Sequence, residues 1–273
     1  MKLLHALSRR FPHKYAIDAK RLGDERTLAW SNLGFWLDTS DYKTACCQLA
    51  ERLADSVQLS SKDRLLDLGC GQGASLQHWV ERYRIQSVCA VELQPDHVKH
   101  IQHTFPQIEQ IIQGSFLDLT PDIFRPHFDV VICIDAAYHS PLNLFINAAK
   151  SVLNSKGRLG FHYLILSAKW EQLPAWQRQK YKYLLKAADV DLDDLADFTI
   201  TEQCLQANGF DQIQIVDITT DVFAGFANYM ASRPYDSKHN IDEIKIRATA
   251  KLCQYLYDEG IVRYVQIAAT KQE

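Results

Sequence analysis

Short apolar segments rich in β-branched residues alternate with helical segments along this 273-residue chain, and this alternation restricts its fold more than any other feature. The helical segments place apolar residues three and four positions apart, as the buried face of a helix requires. Strands that alternate with helices favour a parallel sheet covered by helices on both faces. Five such strands are predicted first, at residues 64–69, 87–93, 108–116, 128–135 and 157–166.

Two segments without strands interrupt this alternation later in the chain. Residues 167–198 are polar, and residues 222–260 are predicted to be mainly helical. A helix that starts after Thr201 and strands at residues 211–219 and 262–271 complete the pattern. We therefore expect an α/β fold with a seven-stranded sheet. The two interrupting segments are expected to be helical cap insertions on one side of that sheet, where a cap over a pocket would lie.

Composition and charge exclude several classes of protein. The chain is 47% hydrophobic and 23% charged, which is typical of a folded globular protein and excludes general disorder. A formal charge of −3 argues against a bulk nucleic-acid binder, which would normally carry a basic excess, but does not exclude a local basic patch. No apolar stretch reaches the roughly 18 residues that a membrane span needs. We predict one domain, residues 1–273, with an N-terminal helical segment at 1–60 and a ligand-binding core at 61–166.

The cysteines and the N-terminal residues predict a cytoplasmic protein. Seven cysteines are scattered along the chain without a CxxC pair. The apolar stretch near the first residue is too short for the core of a secretory signal peptide. Because stable disulfides belong to oxidising compartments, we expect reduced thiols and a cytoplasmic location.

Three histidines recur on one predicted helix, at His97, His100 and His103. Their spacing of three residues spreads them over a broad arc, and no acidic or cysteine partner stands at the spacing of a metal site. We therefore predict no metal site and interpret these histidines as part of a solvated helix face.

A glycine-rich segment, DLGCGQG at residues 67–73, lies between the first predicted strand and helix. Gly69, Gly71 and Gly73 permit a tight turn whose backbone can approach a ligand closely. Glu92 ends the next predicted strand, where a carboxylate can accept hydrogen bonds from two ribose hydroxyls. The turn and the carboxylate together predict a ligand that contains a nucleoside.

The composition of this turn favours a positively charged ligand. A dinucleotide-binding turn requires GxGxxG, whereas the third glycine here comes one residue early. Asp67, two residues before Gly69, would repel a pyrophosphate and attract an ammonium or sulfonium group. S-adenosylmethionine carries both of these cationic groups.

These segments resemble a known family. DLGCGQG and the later VEL resemble the first two motifs of the class I S-adenosylmethionine-dependent methyltransferases. The motifs that follow in that family are similar to IIQGSFLDL, FDVVICIDAAYHS and GRLGFHYLIL, and its antiparallel last strand is similar to QIAATK. The resemblance covers residues 63–161 and the final strand. It implies a Rossmann-like sheet, S-adenosyl-L-methionine as the cofactor and transfer of the cofactor's methyl group.

The resemblance also implies which residues hold the amino acid and ribose parts of the cofactor. Gly69, Cys70 and Gly71 would pass under the amino acid moiety. Asp67 would lie near its ammonium group, in direct contact or through a water molecule. Glu92 would bind the ribose hydroxyls.

For the adenine part, the resemblance implies contacts with Leu93 and Phe116, for which ordinary core packing is the alternative. The family commonly has aspartate where this chain has Ser115, so either Ser115 or Asp118 would bond to the adenine amino group. Asp135, which closes the fourth predicted strand, is also expected at the cofactor site.

The acceptor side of the site is predicted from FDVVICIDAAYHS. This segment is similar to one in small-molecule methyltransferases that act on tocopherols, sterols and related isoprenoid or macrocyclic substrates, which often have glutamate in place of Asp135. Residues 32–36 resemble the N-terminal segment of the same group. His139 and His162 are the predicted catalytic residues, because histidine can remove a proton from an acceptor near neutral pH. The alternative for His139 is a histidine that orders its loop by backbone hydrogen bonds.

We therefore predict an enzyme that transfers a methyl group from S-adenosylmethionine to O, N or C of a small, largely apolar metabolite. A methyltransferase fold that acts on protein or RNA, and a non-catalytic S-adenosylmethionine-binding protein, are the alternatives. A cap would obstruct a long polymer, so no nucleic-acid partner is expected. Aromatic side chains of the two insertions favour an apolar pocket; they are Trp170, Trp176, Tyr181, Tyr183, Phe223, Phe226 and Tyr229.

Overall fold

Seven strands form one mixed sheet in the computed structural model, which describes residues 19–234 and 241–273. The order across the sheet is β3-β2-β1-β4-β5-β7-β6. β7 pairs antiparallel with both β5 and β6, whereas the other four ladders are parallel. The predicted α/β sheet with an antiparallel last strand is confirmed. The strands are β1 Arg64–Leu68, β2 Ser87–Glu92, β3 Gln110–Gln113, β4 Phe128–Cys133, β5 Leu153–Leu166, β6 Phe210–Asp217 and β7 Val262–Lys271.

Helices cover both faces of this sheet. The start predicted for the helix after Thr201 is wrong: that helix begins at Phe198, because the Asp197 side chain accepts a hydrogen bond from the backbone N–H of Ile200 and caps it. The α-helices in the described residues are α1 Tyr42–Ser56, α2 Ala74–Arg82, α3 Pro95–Thr104, α4 Leu142–Val152, α5 Ala175–Ala187, α6 Phe198–Ala207, α7 Gly225–Ser232 and α8 Ile241–Glu259.

The centre of the sheet is buried on both faces. Residues 65–68 of β1 and 88–92 of β2 are buried throughout, which explains why these strands are mainly apolar on both faces, apart from Asp67 and Glu92. α1 packs closely on β5: a Cβ atom added at Gly160 would lie 2.8 Å from Cγ1 of Val57 and 3.3 Å from Cδ1 of Leu53. Gly160 is therefore required by the contact between helix and strand.

Both predicted insertions begin at the carboxyl edge of the sheet. β5 and β6 are each antiparallel to β7 and so run in the same direction. The chain after β5 forms a 3₁₀ turn and α5, and the chain after β6 forms a π-helical turn, α7 and α8. The N–H of Ser167 donates to the carbonyl of Ile261 at 2.8 Å, so the start of the first insertion adjoins the end of the second.

The N-terminal segment is helical only in part, and its residues 1–18 lie outside the described residues. A 3₁₀ turn at Ala19–Leu22 leads into an irregular stretch, residues 23–41, which we call the covering segment; α1 follows. Asp24 holds this segment, because its carboxylate accepts hydrogen bonds from the Trp30 N–H at 2.8 Å and from the Arg26 guanidinium.

Among the described helices, none combines the length and the apolar character that a membrane crossing requires.

We predict that Gly160→Ala lowers the free energy of unfolding by about 1–3 kcal/mol, because the added methyl group overpacks the contact between α1 and β5. Urea-induced unfolding followed by circular dichroism measures this change. The same substitution in a Val57→Ala background should cost less, since the closest atom is then absent. Equal losses in the two backgrounds would contradict the packing argument.

Candidate active site

The turn between β1 and α2 adopts the left-handed backbone that its glycines permit. Gly69, Gly71 and Gly73 have φ angles of 74°, 56° and 91°, a region that side chains rarely tolerate. A Cβ atom at Gly69 would lie 3.0 Å from Cβ of Ala136, and one at Gly71 would lie 2.9 Å from Oγ of Ser31. The loop after β4 and the covering segment therefore bound the turn on two sides.

Glu92 ends β2 and directs its carboxylate at this turn. Its Oε2 accepts a hydrogen bond from the Gly71 N–H at 2.9 Å, and its Oε1 accepts one from the Gln94 N–H at 2.8 Å. A carboxylate has about four acceptor positions, so two remain after these backbone bonds. Two further acceptor positions on one buried carboxylate match the two adjacent hydroxyls of a ribose.

Asp67 lies beneath the turn and is buried. Its Oδ2 accepts a hydrogen bond from the indole Nε1–H of Trp79 at 2.7 Å. Burial raises the pKa of Asp67 from its ordinary value of 3.8 to about 6, the nearby Glu92 carboxylate raises it as well, and bonds from Ser75 and Trp79 lower it. A cation close to Asp67 and Glu92 would stabilise both ionised carboxylates.

Asp135 follows β4 and has a φ angle of 54°, which is uncommon for a residue other than glycine. Its Oδ1 accepts hydrogen bonds from the hydroxyls of Tyr138 at 2.6 Å and Tyr264 at 2.9 Å. Its Oδ2 accepts one from the Leu33 N–H at 2.8 Å. Burial raises the pKa of Asp135 to about 6, although all three bonds lower it. One carboxylate thus joins the loop after β4, strand β7 and the covering segment.

The two predicted catalytic histidines have different surroundings. His139 ends a 3₁₀ turn after β4, is half-buried and bonds through Nδ1 to the Asp189 carbonyl at 3.0 Å. A carbonyl only accepts, so this bond puts the hydrogen of the neutral ring on Nδ1 and leaves Nε2 as the basic nitrogen. His162 of β5 is fully buried, its ring centre lies 5.4 Å from that of Tyr264, and burial lowers its pKa to about 3.

The residues predicted near an adenine lie at the ends of β2 and β3. The Leu93 side chain is 44% exposed and so is accessible to a ligand. Ser115 caps a short 3₁₀ turn by accepting a hydrogen bond from the Leu117 N–H. Phe116 packs edge-on against Phe145, with the ring centres 5.6 Å apart. Asp118 is exposed.

Cys70 is buried inside the glycine turn, and burial raises the pKa of its thiol above the ordinary value. A protonated thiol acts as a small apolar side chain there. In the part of the chain that the structure describes, no three histidine, cysteine, aspartate or glutamate side chains come together as metal ligands.

Several residues of this site were missed by sequence reasoning. Ser31 and Leu33 of the covering segment contact the turn and Asp135, and Tyr264 of β7 completes the bonds to that carboxylate. Two of these residues had a signal: Tyr138 stands inside the motif that contains Asp135, and Leu33 stands inside the segment 32–36 that the resemblance singled out. The prediction of a solvated face on α3 is wrong for His97, whose side chain is only 19% exposed and lies beside Glu92.

The aromatic residues of the insertions divide into two groups. Phe223 is buried, and its ring packs edge-on against Tyr264 with the centres 5.5 Å apart. Tyr181 is buried between other cap residues. Trp176 and Tyr183 are 68% and 70% exposed, so they face solvent rather than an enclosed pocket.

Comparisons with known proteins agree with this geometry. Residues 66–161 match the family described as "Methyltransferase domain". Over 144 residues the chain is 30% identical to the erythromycin 3''-O-methyltransferase of Saccharopolyspora erythraea, with 50% of this chain and 46% of that protein covered. The chain thus spans about half the length of this curated relative.

Solved structures resemble most of the chain, and two of them illustrate this. The cyclopropane synthase MmaA2 from Mycobacterium tuberculosis has a TM-score of 0.69 at 16% identity, with 96% of this chain and 99% of that chain covered. The chain has the class I methyltransferase fold. Geranyl diphosphate C-methyltransferase from Streptomyces coelicolor A3(2), solved with S-adenosyl-L-homocysteine, has a TM-score of 0.66 at 15% identity, with 96% and 98% covered. In this methyltransferase fold, the glycine turn and Glu92 lie together at the carboxyl edge of the sheet.

We predict that Asp135 makes the stability of the protein depend on pH. A carboxyl group whose pKa is raised on folding binds more protons when folded, so it lowers stability as pH rises from about 4 to about 6. The free energy of unfolding should therefore fall over this range by about 1–3 kcal/mol more in the wild type than in Asp135→Asn. Urea unfolding at pH 4, 5, 6 and 7 measures the difference. Parallel pH curves for the two proteins would contradict the assignment.

Proposed function

We propose that this protein transfers a methyl group from S-adenosyl-L-methionine to an oxygen, nitrogen or carbon atom of a small, largely apolar metabolite. The observation that carries the proposal is the Glu92 carboxylate, which is bonded to the Gly71 N–H and keeps two acceptor positions beside the glycine turn. The methyltransferase match over residues 66–161 supports it. So does the relative from Saccharopolyspora erythraea, which is an O-methyltransferase.

The residues at the turn fit this cofactor. Gly69 and Gly71 carry no side chain that would keep a ligand from the backbone, and Cys70 between them is small and buried. Asp67 and Glu92 supply negative charge for the ammonium and sulfonium groups. Residues 61–166 would form the cofactor-binding core of a single domain.

The adenine would lie against the end of β2. Leu93 is exposed enough to cover one face of the ring, and Phe116 lies at the end of the neighbouring strand. The Ser115 oxygen accepts the bond from the Leu117 N–H and keeps a second lone pair, with which it would accept a hydrogen bond from the adenine amino group. Asp135 supports the cofactor site through the covering segment, whose Leu33 it binds.

The cofactor supplies a methyl group that is already activated on sulfur, so the protein chiefly has to align the acceptor atom with it. Where the acceptor is a hydroxyl, its proton must also be removed. We propose His139 as that base: its bond to the Asp189 carbonyl leaves Nε2 as the basic nitrogen, and the same bond also orders the loop, as the alternative for His139 expects. His162 is buried beside Tyr264. It would help to form the wall of the acceptor pocket rather than take the proton from the acceptor.

The acceptor we propose is a small, largely apolar molecule of the isoprenoid or macrocyclic kind. Both insertions begin at the edge where the turn and Glu92 lie, and the rings of Phe223 and Tyr264 pack against each other there and give this edge an apolar interior. A cap over this edge would hinder access by an RNA or a folded protein. The seven free cysteines support a cytoplasmic location.

Cofactor binding is the first test. Isothermal calorimetry should give micromolar dissociation constants for S-adenosylmethionine and S-adenosylhomocysteine. Glu92→Ala should weaken both by at least about tenfold, because a charge-assisted contact to the ribose is lost. Glu81→Ala, which alters an exposed glutamate of α2, is the matched control. Absence of wild-type binding up to millimolar concentration would overturn the proposed function.

The acceptor and the base are tested together. Cell extract incubated with the protein and with cofactor labelled in its methyl group should yield a labelled product, whose identification gives the acceptor. If that acceptor is a hydroxyl, His139→Ala should reduce kcat by about 10²–10⁴-fold and leave the dissociation constant for S-adenosylhomocysteine unchanged. Unchanged turnover would dismiss His139 as the base. Binding of the cofactor without any labelled product would favour a non-catalytic binding protein.

A further inference from the structure

We propose that Trp36 is a positioning residue, through which a cofactor lying under the covering segment holds the second insertion in place over the acceptor. The inference rests on the proposed function, because it concerns how the two ligands of that site act on each other. It goes beyond that function by naming the contact that couples them. It also implies an order, in which the acceptor pocket is complete only after the cofactor has bound.

The backbone of Trp36 is bonded to the second insertion. Its N–H donates to the carbonyl of Asp221 at 2.9 Å. Asp221 lies in the π-helical turn at Thr220–Ala224, where the N–H of Gly225 reaches back five residues to the carbonyl of Thr220. Such wide turns are rare and often occur at functional sites. This bond ties the covering segment to the point where the second insertion leaves the sheet.

The indole of Trp36 is packed directly against α7. A Cβ atom added at Gly225, which begins this helix, would lie 2.6 Å from both Cγ and Cδ1 of Trp36, closer than a side-chain atom can approach. One helical turn later, the ring of Tyr229 stacks on the indole, with the ring centres 4.4 Å apart and the planes inclined by 26°. The second insertion cannot move away from the covering segment without breaking these contacts.

Three residues before Trp36, the covering segment is fixed to the end of β4. The Leu33 N–H donates to Oδ2 of Asp135, and the hydroxyl of Tyr264 donates to Oδ1 of the same carboxylate. Phe223 of the π-helical turn packs edge-on against Tyr264. The contacts therefore form a closed loop, in which the covering segment meets the second insertion directly through Trp36 and indirectly through Asp135.

The same stretch of chain adjoins the place proposed for the cofactor. A Cβ atom at Gly71 would lie 2.9 Å from Oγ of Ser31, so the covering segment lies against the glycine turn. The indole Nε1–H of Trp36 donates to the carbonyl of Leu33 at 2.7 Å, which stiffens the stretch between them. A ligand seated under residues 31–36 therefore acts on the second insertion through Trp36. Coupling between two sites requires an element of this kind, whose position both ligands favour.

The test measures how S-adenosylhomocysteine changes the rate of amide hydrogen exchange, followed by mass spectrometry. In the wild type, saturating ligand should slow exchange in residues 23–41. It should also slow exchange in residues 219–232 by at least about fivefold, the lower end for two coupled sites. Trp36→Ala should keep the slowing in residues 23–41, because the bond between Leu33 and Asp135 remains. In residues 219–232 of this variant the slowing should fall below about twofold, since the coupling is lost.

Two further variants make the test specific. Tyr229→Ala removes the stacked ring from the side of the second insertion and should give the same loss as Trp36→Ala. It keeps the test decisive if Trp36→Ala does not fold, which thermal unfolding shows. Trp176→Ala alters an exposed aromatic residue of the first insertion and is the matched control, which should behave as the wild type. A merely structural role for Trp36 would speed exchange with and without ligand and leave the ligand-dependent difference unchanged.

Three results would overturn the inference. The first is unchanged exchange in residues 219–232 of the wild type when ligand is bound, and the second is wild-type slowing there in either folded variant of the stacked pair. The third is the same loss in Trp176→Ala, because it would show a general loosening of the cap rather than an effect carried by Trp36. Failure of the wild type to bind S-adenosylhomocysteine in calorimetry would instead overturn the proposed function.

Discussion

The parallel register between β1 and β2 is the constraint on which the site depends. Leu68 pairs with Val91, so the chain leaves β1 as the glycine turn beside the point where β2 ends in Glu92. The Gly69 N–H donates to the Val91 carbonyl, and the Gly71 N–H donates to the Glu92 carboxylate. Because side chains alternate between the faces of a sheet, a shift of one residue would turn Glu92 away from the turn. The proximity of the glycine turn and the Glu92 carboxylate therefore follows from strand pairing.

Asp135 holds three separate parts of the chain together at the end of β4, at a cost in free energy. Its backbone lies in the left-handed region and its carboxylate is removed from water, and both features disfavour the folded state. Three hydrogen bonds from separate parts of the chain offset this cost. As a result, the covering segment, the loop after β4 and strand β7 are held to one another by a single side chain.

Local patterns made the sheet, the glycine turn and Glu92 predictable, because each depends on residues close together in sequence. The bond between Leu33 and Asp135 was not predictable: it joins residues 102 positions apart and uses a backbone N–H, which no residue type signals. The inward direction of His97 was missed because the three histidines were judged by their spacing alone, without the strand end beside them. Trp176 was expected in a pocket because aromatic content does not reveal which side of a helix faces solvent.

Because β7 pairs between β5 and β6, changes in the length of the two insertions are separate from changes at the ends of β1 and β2. Each insertion leaves the sheet and returns to it at the same edge, and the hydrogen bond from Ser167 to Ile261 joins their bases. Lengthening either one costs little loop-closure entropy and leaves the ends of β1 and β2 untouched. Under the proposed function, changes in the cap would alter the choice of acceptor and leave the proposed cofactor site at the ends of β1 and β2 unchanged.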